Sequence, residues 1–326
     1  MRLLITGANG FVGKPLCAEL RRQGNAVRAA VRSISAAPVC EGAIEVGNID
    51  GDTDWTNALH GVELVFHLAA RVHVMKDTSA DPLAEFLKVN LHGTANLARQ
   101  AARSGVKRLV YVSSIKVNGE RTTGLQSFAE SDPPAPQVPY GVSKWQAEQA
   151  LQRVAQETGL EIVIVRPPLV YGPCVKGNFV SLLKAIEKGV PLPLAGANNA
   201  RSLIYVGNLV DALIVCASQP SAAGKTFIIS DGEPVSTALL ADKIAHALDR
   251  PNRSFYFPHV LLRAGAALFG RSDQVDKLLS SLLVNDSKIR SELGWAPPYS
   301  LEQGLRATAD WYLAQRAAVG YNRASL

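Results

Sequence analysis

Tyr140 and Lys144 lie four residues apart in Pro139-Tyr140-Gly141-Val142-Ser143-Lys144, so on a helix a phenol and an ammonium share one face. A free phenol has a pKa near ~10, too high for good proton transfer at neutral pH, and a neighbouring ammonium draws it down. Such a phenol can protonate a carbonyl oxygen while hydride attacks the carbon. Ser113 and Ser114 end the apolar run Leu109-Val110-Tyr111-Val112, where a hydroxyl can hold the same oxygen. Ser114, Tyr140 and Lys144 are therefore the catalytic candidates.

Hydride needs a carrier, and the first thirteen residues are suited to one. Gly7-x-x-Gly10-x-x-Gly13 follows the apolar run Leu3 to Thr6 and precedes a helical pattern, Phe11 to Gln23. Glycines let a strand turn sharply into a helix and let the backbone approach a pyrophosphate, which then meets the free N–H groups of the helix N-terminus. Gly7, Asn9, Gly10, Phe11, Val12 and Gly13 are the expected lining. The next strand, Ala26 to Val31, carries no acid for ribose hydroxyls, and Arg32 follows it. An arginine there can pair with a 2′-phosphate in bidentate fashion. The expected cofactor is NADP (as NADPH), with NAD possible.

These groups must be carried by an alternating scaffold. Strand-like runs at Ile44 to Val46, Leu64 to His67, Leu109 to Val112 and Glu161 to Val165 alternate with helical patterns. Asp81 is an expected N-cap, with Pro82 at the first position of a helix running to about Arg103. A further helix spans Tyr140 to Glu157. The pattern predicts an α/β fold with a Rossmann-type, doubly wound parallel sheet covered on both faces. Beyond residue 170 the alternation is irregular and proline-rich, with helices expected near Phe179 to Lys188, Val210 to Ser218, Thr237 to Asp249 and Leu301 to Gln315. Residues 1–170 are expected to bind the cofactor, and 171–326 to form a smaller α/β substrate lobe that returns elements to the sheet.

Bulk composition excludes several classes. The 326 residues are 47% hydrophobic and 19% charged, with net charge +6 and pI ≈ 9.2. The basic residues are dispersed without interleaved aromatics, which argues against nucleic acid and is compatible with a diphosphate-bearing small molecule. Cys17, Cys40, Cys174 and Cys216 are widely spaced, as reduced core thiols would be, and no histidine pairs at ligand spacing, so no metal is expected. No apolar run approaches the ~20 residues of a membrane span, and Arg263 interrupts the one at Leu261 to Phe269. A core strand beginning at position 1 leaves no room for a signal peptide, so a cytoplasmic protein is expected.

Together, Thr6-Gly7-x-x-Gly10-x-x-Gly13, His67-Leu68-Ala69-Ala70, Tyr111-Val112-Ser113-Ser114, the Tyr140 to Lys144 segment and Arg166-Pro167-Pro168-Leu169-Val170-Tyr171-Gly172-Pro173 resemble the extended short-chain dehydrogenase/reductases. The likeness covers nearly the whole chain and is greatest to the nucleotide-sugar epimerases, dehydratases and reductases. Arg201 to Val206, Asp286-Ser287-Lys288 and Glu292-Leu293-Gly294-Trp295 belong to the same pattern.

The resemblance implies that Tyr140 is the acid/base, that Lys144 binds the ribose and lowers the tyrosine pKa, and that Ser114 holds the reacting oxygen. It implies that Asn48, Ile49, Leu68, Ala69, Ala70, Val112, Arg166 and Pro167 line the cofactor, that Asn90 braces the site, and that Asn178 and Arg201 face the substrate diphosphate. His73 and Lys116 follow strand ends and are further substrate candidates. A homodimer through residues 82–103 and 140–157, with apolar exposed stripes there, is also implied. Three departures stand out. Asn48-Ile49 replaces Asp plus an apolar residue, Val206-Gly207-Asn208 replaces Val-Asp-Asp, and Ile115-Lys116-Val117-Asn118-Gly119 follows Ser114 where epimerases usually carry small residues and then Tyr-Gly.

A 4,6-dehydratase needs a carboxylate pair beside the catalytic hydroxyl, where this chain has Ile115 and Lys116. What remains is 4-ketoreduction or 4-epimerisation. An epimerase returns its hydride and typically keeps NAD, whereas a reductase consumes NADPH, and Arg32 tilts the expectation to the latter. Ser114 to Glu120 and His67 to Met75 resemble reductases of UDP-4-keto-6-deoxy-N-acetylhexosamines, whose products, UDP-N-acetylquinovosamine or -fucosamine, feed surface polysaccharide synthesis. The alternative is a UDP-hexose or UDP-N-acetylhexosamine 4-epimerase. A reductase of aromatic or acyl substrates and an idle NADP-binding sensor are the other classes, though a sensor tends to lose the tyrosine.

Overall fold

The structure is a computed structural model that describes residues 1–34, 42–72, 81–258, 261–262 and 272–324. Cys40, His73 and most of the apolar stretch from Leu261 to Phe269 lie outside the described residues.

Seven parallel strands form the main sheet: β1 Arg2–Thr6, β2 Ala26–Val31, β3 Ala43–Glu45, β4 Leu64–His67, β5 Arg108–Val112, β6 Glu161–Arg166 and a strand from the later half, Thr226–Ile228. Their spatial order is β3-β2-β1-β4-β5-β6 followed by Thr226–Ile228. The order reverses beside β1, so the crevice at the carboxyl ends of β1 and β4 is where such a sheet takes its ligand.

Alternation along each strand sends side chains to two cores. Leu3, Ile5, Phe66, Val110 and Val163 pack on one face, against Leu16 and Leu20 of α1 (Gly13–Arg22). Leu4, Val65, Leu109, Tyr111 and Ile162 pack on the other, against Leu97 and Leu151. This burial on both faces explains the unbroken apolar runs in the sequence.

A short helix, α2 (Thr56–Leu59), precedes β4. The predicted helix from Pro82 to Arg103 is three segments, α3 (Pro82–Leu87), a π-helical stretch Lys88–Gly93, and α4 (Thr94–Arg103). Asp81 is its N-cap, its side chain accepting the Ala84 N–H at 3.0 Å. At Gly93 any side chain would meet Ile49, a Cβ lying 2.7 Å from its Cγ2. The π stretch buries Asn90, which sequence periodicity cannot signal. Tyr140 and Lys144 lie on α5 (Pro139–Thr158), which starts with proline at its first turn and stops at Gly159, φ +77°.

After β6 the chain forms β7 (Leu169–Tyr171), α6 (Asn178–Glu187), β8 (Leu203–Tyr205) paired with β7, and α7 (Val206–Ser218). Thr226–Ile228, hereafter β9, then re-enters the main sheet beside β6. α8 (Thr237–Ala247) and the helices Ser287–Leu293 and Leu301–Ala324 follow. The sequence reading missed β7 to β9, three residues each and too short for a period.

In place of the Asp of the usual pattern, Asn208 is buried, donates to Asp231 at 2.7 Å and to the Tyr299 carbonyl at 2.9 Å, and accepts the Tyr299 N–H. Gly207 lets the rings of Tyr205 and Tyr299 close in. Among the described residues no large apolar side chain of 82–103 or 140–157 is exposed, and Leu83, Leu87 and Trp145 are half-buried. No helix of the described residues is long and apolar enough to cross a membrane.

Candidate active site

The glycine turn joins β1 to α1 at the crevice. Gly7 has φ +67°, and a Cβ on it would lie 2.9 Å from the Ala69 nitrogen. A Cβ on Gly13 would lie 2.1 Å from the Gly7 oxygen, inside atomic contact. The turn therefore presents bare backbone at the N-terminus of α1, with Asn9 and Gly10 exposed and α1 lacking a side-chain cap. A dinucleotide pyrophosphate fits this cradle. Phe11, partly buried, packs against the Tyr171 and Phe179 cluster, and Val12 packs on the sheet core.

Behind the turn runs a buried polar chain. The Thr6 hydroxyl accepts the N–H groups of Leu68 and Ala69, so its proton goes to His67 Nδ1, 2.7 Å away. His67 Nε2 then meets the Thr94 hydroxyl at 2.9 Å. Burial, aided by the Lys144 charge, pulls the His67 pKa down to about 3, so the ring is neutral as this arrangement requires. Leu68, Ala69 and Ala70 are half-buried beside the turn.

At the end of β2, Arg32 is exposed, and no acid stands on that strand. Pairing with β3 nevertheless places Glu45 beside Val31, where its carboxylate accepts the Ile34 N–H at 3.1 Å. An acid thus reaches this corner from the neighbouring strand. Asn48 is exposed, its carbonyl accepting the Thr53 hydroxyl, and Ile49 packs against Gly93.

The two serines have different partners. Ser113 donates to Glu148 at 2.5 Å, whereas Ser114 Oγ accepts the Lys116 N–H at 3.3 Å and stands near enough to the Tyr140 hydroxyl to favour its phenolate. Lys144 is fully enclosed and donates to the Val112 carbonyl at 2.8 Å and to the Tyr111 hydroxyl at 3.0 Å. The phenol pKa departs from expectation. Burial pushes Tyr140 up to about 12, against the Ser114 hydrogen bond, and draws Lys144 down to about 7, against the Glu148 charge. Desolvation outweighs the attraction because both groups are sunk in the same site and the ammonium's hydrogen bonds go elsewhere. Tyr140 also packs edge-on to Phe86, 6.1 Å between centroids, and Phe86 carries the Arg71 guanidinium over its face.

Asn90 braces the site. It accepts the Arg71 N–H, donates to the Arg71 carbonyl and donates to Ser143 Oγ, which itself donates to the Tyr140 carbonyl.

Arg166 has a different role from the one expected. The residue is 4% exposed, and its guanidinium clamps Glu148 with bonds of 3.0 and 2.5 Å and donates to Asn118. It is a buried strut between β6 and α5. Pro167 is buried too, and its carbonyl accepts the Ile115 N–H. Lys116, half-exposed, is paired with Glu120 at 2.9 Å, so its ammonium is already engaged.

Asn178 is exposed at the start of α6, while Arg201 is half-buried on the strand-like segment before β8 and donates to the Ser280 carbonyl. The residue types alone do not single out Glu148, although its place four residues after Lys144 and eight after Tyr140 puts it on the same helix face.

Comparison with known proteins agrees with this geometry. The sequence profile of the NAD dependent epimerase/dehydratase family matches residues 3–230. A Vibrio cholerae UDP-glucose 4-epimerase is 43% identical over 314 residues, 95% of each chain. An Escherichia coli O157:H7 N-acetyl-alpha-D-glucosaminyl-diphospho-ditrans,octacis-undecaprenol 4-epimerase is 26% identical, over 95% of this chain and 94% of its own. Among solved structures, MoeE5 in complex with UDP-glucuronic acid and NAD superposes with a TM-score of 0.76 at 27% identity, over 97% of this chain and all of that one.

Proposed function

Because the chain belongs to the NAD dependent epimerase/dehydratase family, whose members share this Rossmann-type fold, we propose that it is a 4-ketoreductase of a UDP-4-keto-6-deoxy-N-acetylhexosamine, using NADPH. Residues 1–170 would hold the dinucleotide and 171–326 would cover the sugar nucleotide. The glycine turn Gly7 to Gly13, with Lys144, would hold the dinucleotide, which when bound would supply the hydride for C4. The chain's own groups do the rest. Tyr140 protonates the C4 oxygen, Ser114 holds that oxygen and the phenol in line, and Lys144 places positive charge next to the site. Asn178 and Arg201 would take the diphosphate.

The observation that carries reduction over epimerisation is the end of β2, where an exposed arginine stands and the strand has no acid. Ile115 and Lys116, beside Ser114, leave dehydration without its carboxylate pair. The 43% identity to a UDP-glucose 4-epimerase and the presence of Glu45 beside Val31 favour a second reading, 4-epimerisation with bound NAD.

One experiment separates them. The protein is offered UDP-4-keto-6-deoxy-N-acetylglucosamine with NADPH or NADH, and UDP-N-acetylglucosamine without reductant. NADPH loss that Tyr140→Phe abolishes supports the reductase. Conversion of UDP-N-acetylglucosamine to its galacto isomer without reductant supports the epimerase. A homodimer and a place in surface polysaccharide synthesis go with the first reading, and solution scattering tests the dimer.

A further inference from the structure

A second concavity has neither Ser114 nor Tyr140 in its lining. Lys14 of α1, the loop and first turns of α6 from Cys174 to Lys184, and Trp311 and Gln315 of the final helix border an open groove of about 550 Å³. That volume falls among small-molecule sites, about 300–1,000 Å³.

Its lining is sorted by chemistry. Val175 is buried, and Val180 and Trp311 are half-buried, making an apolar floor. Lys14, Lys176 and Lys184 are exposed around it, and no carboxylate lines it. Among the described residues none of the three ammonium groups is in an ion pair. On α6 the spacing 177, 180, 181, 184 keeps this face outward, while Phe179, Leu183 and Ile186 fill the core behind it.

Three unpaired cations around an apolar recess focus a positive field into it. An indole offers a flat face for a planar ring, and ammonium groups suit phosphate oxygens as point charges. A ligand matching both is aromatic at one end and polyanionic at the other. We propose that this groove is an accessory binding site for a nucleoside polyphosphate, separate from the dinucleotide cradle and from the catalytic crevice. Lys14 directly follows Gly13, so an occupant ties the start of α1 to α6 and to the final helix. Its binding and that of the dinucleotide are then linked, and each changes the affinity of the other by the same factor.

The test uses the whole protein with NADP⁺, NAD⁺ and UDP present in saturating excess, so that cofactor and substrate sites are filled whichever reaction it catalyses. ATP is titrated by equilibrium dialysis and by tryptophan fluorescence. The expected result is one further bound equivalent, weakened about tenfold or more by K176E/K184E and weakened by added salt. The fluorescence change should vanish in Trp311→Phe, and circular dichroism checks that both variants fold. No binding of ATP, or binding that K176E/K184E leaves unchanged, overturns the proposal. Inorganic tripolyphosphate binding as tightly as ATP also overturns it, since the indole then reads nothing.

Discussion

The Ser113 hydroxyl donates to Glu148 Oε1 across 2.5 Å, and the same carboxylate is clamped by Arg166 from β6. One enclosed carboxylate thus joins the ends of two strands to the helix that carries Tyr140 and Lys144. Ser113 is adjacent to Ser114, so this bond also sets where the hydroxyl proposed for catalysis stands.

Removing that carboxylate should be costly. Glu148→Ala leaves the Arg166 guanidinium buried without its counter-charge, a loss of about 3–5 kcal/mol. Urea unfolding of the two proteins measures it, and a difference below about 1 kcal/mol would show that the pair is dispensable.

The proton donor is tested by Tyr140→Phe, which keeps the ring against Phe86 and removes the hydroxyl that Ser114 bonds. Turnover should fall about 10²–10⁴-fold with little change in stability. A variant that keeps a tenth of the activity would mean that another group delivers the proton.

Lys144 makes stability depend on pH. Its folded value, about 7, lies below the ordinary lysine value of about 10.4. Between these the unfolded chain holds a proton that the folded chain has released, so this group makes stability rise with pH from about 7 toward 10. Below pH 7 both states are protonated and the full cost of burying the ammonium applies. Unfolding of the wild type and of Lys144→Met at pH 6, 7.5 and 9 should show the wild type gaining on the variant as pH rises. Parallel curves would contradict a lowered folded value.

Gly13→Ala should destroy the cradle, because the new methyl group would sit 2.1 Å from the Gly7 oxygen. The turn must open, and dinucleotide binding, followed by nicotinamide fluorescence, should be lost. Unchanged affinity would remove this turn from the cofactor site.

Cofactor choice is tested at Arg32. Arg32→Ala should raise the KM for NADPH about tenfold or more and leave that for NADH nearly unchanged, since only the former has a 2′-phosphate to lose. Equal effects on both would make Arg32 a surface charge and leave selection to Glu45.

The alternation of apolar runs with helical patterns was enough to specify the parallel sheet, because strands buried on both faces must be apolar throughout. The spacing of Gly7, Gly10 and Gly13, and of Tyr140 and Lys144, was equally legible, since helix and turn geometry place residues three or four apart together whatever else the chain does. Local spacing carries no information about partners that arrive from other elements. That Ser113 serves Glu148 while Ser114 serves Tyr140, that Arg166 is a buried strut, and that Glu45 stands beside Val31 were decided only by how β5, β6, α5 and β3 pack. The acidity of Tyr140 and Lys144 was decided there too. The sequence shows that the charge is near, but burial, which tertiary packing alone determines, sets how much that charge weighs against lost hydration.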